Sequence, residues 1–175
     1  EDLAQTVGSC WRCNRPVEYI LTKQWFIKTL DYKKQLIQQG RKVKWHPDFM
    51  RVRYENWVKN LGWDWIISRQ RYYGIPIPVW YCSKCDETIL PEEKDLPLDP
   101  TEHKKKCPKC KTQAVADEDV FDTWMTSSNS PELALRWLEK PSQYKKIAPM
   151  ILRPQSHDII RTWAFYTILK SSLLF

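Results

Sequence analysis

All six cysteines of the 175-residue chain occur in C-x-x-C pairs, a spacing typical of metal ligands. The pairs are Cys10/Cys13, Cys82/Cys85 and Cys107/Cys110. Two such pairs can supply the tetrahedral four-sulfur shell that Zn²⁺ prefers, because a tight turn between the cysteines points both thiolates at one ion. The 21 residues between the second and third pairs match the gap of a zinc ribbon. We therefore predict that these four cysteines hold Zn²⁺, rather than forming disulfides or buried free thiols.

The first pair, Cys10 and Cys13, has no obvious second pair of ligands in the sequence. The three histidines stand apart from one another, at His46, His103 and His157. Two interpretations remain open for the pair. It is either half of a second zinc site whose other half lies outside this chain, or a pair of free thiols.

The composition limits the other kinds of site. Glycine occurs only four times, too rarely to form G-x-G-x-x-G or a Walker-type phosphate loop, so a nucleotide site must be built differently. A net charge of +7 with 42% hydrophobic residues, ten of them tryptophan, describes a basic protein that can bury a core. No apolar run approaches the roughly 18 residues of a membrane span. We expect a soluble cytoplasmic protein without a membrane partner.

Helical periodicity predicts two helices before the ribbon. The first covers 24–39, with Gly40 as its C-cap. The second covers 47–61 and places its apolar residues on one face. Its opposite face carries Arg51, Arg53, Glu55 and Lys59, which indicates either a solvated surface or a nucleic-acid contact.

Extended and strand-like segments surround the ribbon. The alternating prolines of 75–80 predict an extended chain that leads into it. Lysines near its second cysteine pair indicate either a solvated surface or contacts with a phosphate backbone. Further along, 150–154 predicts a short buried strand, and a polar turn separates it from a helix that begins at Asp158. A strand, polar turn and helix in this order are typical of the ligand-binding edge of an α/β sheet.

Four parts of the sequence resemble class I aminoacyl-tRNA synthetases for branched aliphatic amino acids. They are 10–13 (CWRC) with 24–26 (QWF), 64–78 (DWIISRQRYYGIPIP), 119–128 (DVFDTWMTSS) and 153–163 (RPQSHDIIRTW). The last of these has the form found in valyl-tRNA synthetases, especially those of the archaeal type. The resemblance implies an α/β fold, the second half of a Rossmann-like catalytic domain with an inserted four-cysteine zinc ribbon.

The resemblance also implies an order of regions. A zinc knuckle at the exit of the editing insertion would cover 1–23, and a helical and extended part of the catalytic domain would cover 24–80. The ribbon would cover 81–113. The second half of the Rossmann-like domain would cover 114–175.

Site residues follow from the same resemblance. Trp65, Val120 and Trp124 correspond to an apolar pocket for the valine side chain, and Asp119 to a partner of the substrate ammonium. The turn of Gln155, Ser156, His157 and Asp158 corresponds to an ATP-binding strand end, with Asp158 on the ribose. Ser156 replaces the glycine of the common family form, so a side chain stands where backbone is expected to approach adenosine.

The implied function is that of a valyl-tRNA synthetase, which activates valine with ATP and Mg²⁺ and transfers it to tRNA. Neither H-x-G-H nor K-M-S-K-S occurs in the chain, so we expect no catalytic residue here and no activity from this part alone. We expect Zn²⁺ as cofactor, valine, ATP and tRNA as partners, and a monomer. The alternatives are an isoleucyl-tRNA synthetase, a zinc-ribbon module that binds tRNA or protein, and a purely structural zinc domain.

Overall fold

The computed structural model describes residues 4–148 and 150–174, which form a mixed arrangement of helices and very short strands. The helices are α1 (Lys33–Lys42), α2 (Met50–Lys59), α3 (Thr123–Ser127), α4 (Ser130–Ala134), α5 (Pro141–Ile147) and α6 (Trp163–Leu174). The strands are β1 (Phe26–Ile27), β2 (Trp65–Ile66), β3 (Ser68–Arg69), β4 (Trp80–Tyr81), β5 (Thr88–Ile89), β6 (Val115–Ala116) and β7 (Val120–Phe121). No helix within the described residues is long and apolar enough to cross a membrane.

Helices α1, α2 and α6 pack around the main core. Leu36, Tyr54, Phe165 and Leu169 are at most 1% exposed, and together they join the three helices. The predicted helix at 47–61 is confirmed, because α2 buries Tyr54 and Val58 on one face. Burial of one apolar face, rather than helix propensity, stabilises helices of this length.

The predicted helix at 24–39 is wrong at both ends. Residues 26–27 form β1, which pairs with β2, and α1 begins only at Lys33. The helix also continues through Gly40 to Lys42 instead of ending there. Gly40 is needed for packing, because a Cβ atom at this position would lie 2.2 Å from Cε1 of Tyr54.

The strands form three small antiparallel sheets. β1 pairs with β2, β3 pairs with β7, and β4 lies between β5 and β6. Within the described residues there is no parallel pair, so the parallel sheet expected of a Rossmann-like half is not present among them. The expected extended segment before the ribbon is confirmed, since Pro76 bridges to Val120 and Ile77 N–H donates to the carbonyl of Asp119.

The predicted strand at 150–154 is wrong for the part of the chain that the structure describes. Ile151 is 97% exposed and Leu152 is 74% exposed, and neither lies in a strand. A strand needs a neighbour to satisfy its backbone groups, and no described strand lies beside this segment. The predicted helix after it is confirmed: a 3₁₀ turn at His157–Arg161 leads into α6, with Ile160 and Ala164 buried.

Candidate functional site

The second and third cysteine pairs sit in two turns of the same geometry. The N–H of Cys82 donates to the carbonyl of Glu87, and the N–H of Asp86 donates back to the carbonyl of Cys82. Cys107 repeats both bonds with Thr112 and Lys111. The residue after each pair has a positive φ, 53° at Asp86 and 63° at Lys111. This left-handed residue closes the turn so that both sulfur atoms face the same side.

The sheet β5-β4-β6 brings these two turns together. The sulfur atoms of Cys82, Cys85, Cys107 and Cys110 all lie within 4.8 Å of one another. The Sγ separations are 3.3 Å for Cys82 and Cys110, 3.5 Å for Cys85 and Cys107, and 3.6 Å for Cys85 and Cys110. Four thiolates at about 2.3 Å from one Zn²⁺ would be about 3.8 Å apart. The four sulfur atoms therefore fit a tetrahedral ion, and all four cysteines are free of disulfides.

The surroundings of the four thiols differ. Hydrogen bonds from Thr112 lower the pKa of the Cys110 thiol to about 6. The backbone N–H of Glu87 lowers the pKa of the Cys85 thiol, but hydrogen bonds with the neighbouring thiols, first that of Cys82, outweigh it and raise this pKa to about 12. Cys82 and Cys107 are buried beside Trp80, whose indole N–H donates to the carbonyl of His103 at 2.9 Å. A preformed cluster of four sulfur atoms, with Cys82 and Cys107 buried and Cys85 exposed, is a donor set that suits a structural zinc site.

Cys10 and Cys13 lie in a third turn of this kind. The N–H of Cys10 donates to the carbonyl of Arg15, the N–H of Asn14 donates to the carbonyl of Cys10, and Asn14 has a φ of 53°. Backbone N–H groups of Arg12 and Cys13 lower the pKa of the Cys10 thiol. Within residues 4–148 and 150–174, no further ligands complete a metal cluster with this pair.

A cavity of about 270 Å³ lies between the end of β3 and the start of α3. Val120 and Trp124, two of the predicted pocket residues, line it. Its wall also includes Arg69, Arg71 and Asp122. Gly74 supports this wall, because a Cβ atom there would lie 2.6 Å from a methyl group of Val120.

Trp65 lies behind this cavity rather than in its lining. Its ring is 5% exposed and stacks on Tyr166 with the ring centres 3.7 Å apart. It instead borders a second cavity of about 150 Å³, together with Trp57 and Phe165. The structure thus brings Val120 and Trp124 to one cavity and Trp65 to the neighbouring one.

Asp122, which the sequence reasoning missed as a site residue, lines the first cavity and binds Trp65 of the second, while Arg69 lines both. The buried carboxylate of Asp122 accepts from the indole N–H of Trp65 at 2.9 Å and pairs with Arg69 at 3.0 Å. It also caps α3 by accepting from the N–H of Trp124 at 3.4 Å. The signal was available, since an Asp before a short helix is a common N-cap.

The other acidic residues of this segment have different surroundings. Asp119 does not line the cavity, and its carboxylate accepts from the side-chain amide of Gln70 at 2.7 Å. Asp117, also missed, is buried and accepts from Tyr81 at 2.7 Å and from Trp25 at 3.1 Å. Burial, with Asp117 beside it, raises the pKa of Tyr81 to about 12.

The turn at 155–158 is open to solvent except at Gln155, which is half-buried. Ser156, His157 and Asp158 are exposed, and Nε2 of His157 lies 3.1 Å from the carboxylate of Asp158. Ser156 has an extended backbone with φ −69°, a conformation open to any residue, and its hydroxyl caps the following turn. The backbone conformation at this position therefore does not require the glycine of the common form.

Comparison with known proteins gives a family and a set of relatives. A family model described as tRNA synthetases class I (I, L, M and V) matches residues 12–175. The valine–tRNA ligase of Methanocaldococcus jannaschii is 47% identical over 99% of this chain and 20% of its own length. The valine–tRNA ligase of Thermoplasma volcanium is 52% identical over 99% of this chain and 22% of its own length.

A solved structure is also similar to this chain. The LeuRS of Agrobacterium radiobacter K84, crystallised in a ternary complex with tRNA and LeuAMS, is 31% identical with a TM-score of 0.51. The match covers 63% of this chain and 17% of that one. Relative to the two valine–tRNA ligases above, the chain spans about a fifth of their length.

Proposed function

Since the chain belongs to the class I tRNA synthetases of the I, L, M and V group, we propose that it is the part of a valine–tRNA ligase that supplies one wall of the valine pocket. The observation that carries this proposal is the match of nearly the whole chain to archaeal valine–tRNA ligases at about half of its positions. The family assigned from four sequence segments is confirmed by these matches.

In the proposed reaction a carboxylate oxygen of valine attacks the α-phosphorus of ATP, a new P–O bond forms, and pyrophosphate leaves. A terminal ribose hydroxyl of tRNA then attacks the carbonyl carbon of the adenylate, and AMP leaves. No covalent enzyme intermediate is needed, so positioning and electrostatics carry the chemistry. This chain contributes surfaces that hold the reactants.

The apolar wall would consist of Val120 and Trp124. Both line the 270 Å³ cavity, and an indole face is a rigid apolar surface that suits a branched aliphatic side chain. Trp65 would support this wall from behind through Asp122. The carboxylate of Asp119 would pair with the substrate ammonium, and for this it would exchange its hydrogen bond with Gln70.

ATP would bind at the turn of Gln155, Ser156, His157 and Asp158, of which the last three are exposed. The backbone at Ser156 would face adenosine, and the carboxylate of Asp158 would accept from a ribose hydroxyl. Mg²⁺ would accompany ATP as part of the substrate. Support comes from the solvent exposure of the turn and from the extended backbone of Ser156.

Zn²⁺ would bind to Cys82, Cys85, Cys107 and Cys110 and would stabilise the ribbon lobe at 81–113. The knuckle at Cys10 and Cys13 would be half of a second site, completed by ligands from outside this chain. We further propose that the regions follow the order given in the sequence analysis and that the protein is a cytoplasmic monomer. We also propose that these 175 residues alone do not activate valine.

A segment exchange tests the proposal. The matched segment of the Methanocaldococcus jannaschii enzyme is replaced by this chain, and pyrophosphate exchange is measured with valine and with isoleucine. We expect valine-dependent exchange, and a KM for valine at least tenfold higher after Trp124→Ala. Trp11→Ala is the control, since this tryptophan is 82% exposed and lies outside the cavity. A folded exchange enzyme that prefers isoleucine, or that activates neither amino acid, would overturn the proposal.

A further inference from the structure

The excess positive charge of the chain is confined to one segment. Residues 23–59 contain ten of the 28 lysines and arginines but only three of the 21 acidic residues. Their net charge is +7, equal to that of the whole chain, and the remaining 18 basic and 18 acidic residues cancel. This segment is the pair of helices α1 and α2 with the residues that lead into and join them.

A single buried carboxylate, that of Glu55, pairs with three cations of these helices. Glu55 accepts two hydrogen bonds from Arg41, at 3.0 and 3.1 Å, across the two helices. Arg51 and Lys59 lie one turn to either side of Glu55, at 3.6 and 3.5 Å. The Glu55 side chain is 11% exposed, whereas the three cations are 52–58% exposed. The group therefore presents a net charge of about +2 to solvent while its members are held in place.

Such a cluster does not suit an apolar protein contact. Removal of water from three cations is strongly unfavourable unless an anion replaces the water. An arginine fork and a lysine ammonium both match phosphate oxygens, the arginine in a bidentate way. Because Glu55 already fixes the side chains, less conformational entropy is lost when a polyanion binds.

The lysines of the ribbon lobe provide a contrast. Residues 81–113 contain seven lysines and seven acidic residues, so their net charge is zero. Lys109 pairs with Glu87, and Lys105 lies over the ring of Trp80 at 4.8 Å. The ribbon therefore lacks the charge excess that a phosphate backbone would attract.

We propose that the Arg41–Arg51–Lys59 cluster around Glu55 binds the phosphate backbone of RNA. The inference rests on the proposed function, because that function makes tRNA the RNA that this surface would bind. Contacts to phosphates position a nucleic acid and carry no sequence information. The surface would thus hold the body of the RNA while other parts of the parent protein select it.

The test uses the 175-residue chain, a fluorescent tRNA transcript and anisotropy titrations between 50 and 200 mM KCl. The variant is Arg51→Gln with Lys59→Gln, which keeps the pair of Arg41 and Glu55 and thus the contact between the helices. The control is Lys104→Gln with Lys106→Gln, two exposed ribbon lysines. Both double variants remove two positive charges, so they differ only in where the charge is lost.

We expect the helix variant to bind tRNA about tenfold more weakly at 100 mM KCl, with the slope of log K against log salt reduced by about two. The ribbon control should stay within about twofold of the parent chain. If both variants lose tRNA affinity equally, net charge alone matters. If the helix variant binds tRNA as tightly as the parent chain, the cluster instead suits a protein partner. Either result overturns the inference. Because pyrophosphate exchange requires no tRNA binding by this surface, the segment exchange fails or succeeds independently of it.

Discussion

The indole Nε1 of Trp65 lies 2.9 Å from Oδ2 of Asp122, and the donor and acceptor are 57 positions apart in sequence. The same carboxylate caps the helix that carries Trp124 and pairs with Arg69. One buried acid therefore fixes two of the tryptophans that the sequence assigns to the site. Asp122 is 5% exposed, and its carboxylate is already engaged by Trp65, Arg69 and the N–H of Trp124. We therefore expect it to position the site rather than to bind a substrate.

Replacement of Asp122 should destabilise the chain strongly. Asp122→Ala leaves the indole N–H of Trp65 without its acceptor and the Arg69 guanidinium without its carboxylate partner, and we expect a loss of about 3 kcal/mol in the free energy of unfolding. Asp122→Asn keeps an acceptor oxygen and a helix cap, so it should lose about 1 kcal/mol. Urea unfolding measures both. The exposed acid Glu118 serves as the control, and a loss for Glu118→Ala as large as for Asp122→Ala would contradict the argument.

Gly40→Ala tests the packing of α1 against α2. In an exposed helix this change would stabilise the protein by about 1 kcal/mol. Here the new Cβ would lie 2.2 Å from the ring of the fully buried Tyr54, so the helices must separate. We expect a destabilisation of about 1–3 kcal/mol. Gly62→Ala is the matched control, because nothing lies within 4 Å of its Cβ. If both variants unfold at the same temperature as the parent chain, the contact between Gly40 and Tyr54 is refuted.

Elements that depend on local pattern were predictable from the sequence, and those that depend on distant partners were not. The period of apolar residues predicted α2, because its buried face needs only one neighbouring surface. Gly40 was misread as a C-cap, since its function is set by the ring of Tyr54 on another helix. The strand at 150–154 was predicted from its apolar residues, yet no described strand lies beside it to accept its hydrogen bonds.

The residues of the candidate site also divide into those predicted from local sequence pattern and those that depend on distant partners. The C-x-x-C spacing predicted the four cysteines that the structure brings together, because each turn is a local feature. Val120 and Trp124 are four residues apart and share a cavity. Trp65 comes from a distant segment, and no sequence pattern indicated that Asp122 and Tyr166 would hold it behind that cavity.

Metal analysis should find one Zn²⁺ per chain. Cys107→Ala removes one of four thiolates, and because Cys107 is fully buried no other group can replace it. We expect this variant to lose the metal and the order of the ribbon. The double variant Cys10→Ala with Cys13→Ala should keep one Zn²⁺, because no further ligands complete that pair within the described residues. Metal retained at full content by Cys107→Ala, or lost by the double variant, would contradict this assignment.

Lys170 should make stability depend on pH in the alkaline range. Its side chain on α6 is 7% exposed, and Nζ donates to the carbonyl of Met125 at 2.7 Å. Burial lowers the pKa of Lys170 to about 8, against the opposing effect of Glu132. In the unfolded chain a lysine has a pKa of about 10.4. Between these two values the unfolded state binds more protons than the folded state, so the free energy of unfolding rises with pH across this window.

The comparison of the parent chain with Lys170→Met isolates this contribution, since other titrating groups cancel in the difference. From pH 7.5 to 10 we expect the free energy of unfolding of the parent chain to rise relative to that of the variant, by about 3 kcal/mol at most. Lys34→Met, which replaces an exposed lysine, should follow the parent chain at every pH. Urea unfolding at half-unit steps of pH measures the difference. A difference that stays flat from pH 7.5 to 10 would show that Lys170 keeps its ordinary pKa in the folded chain.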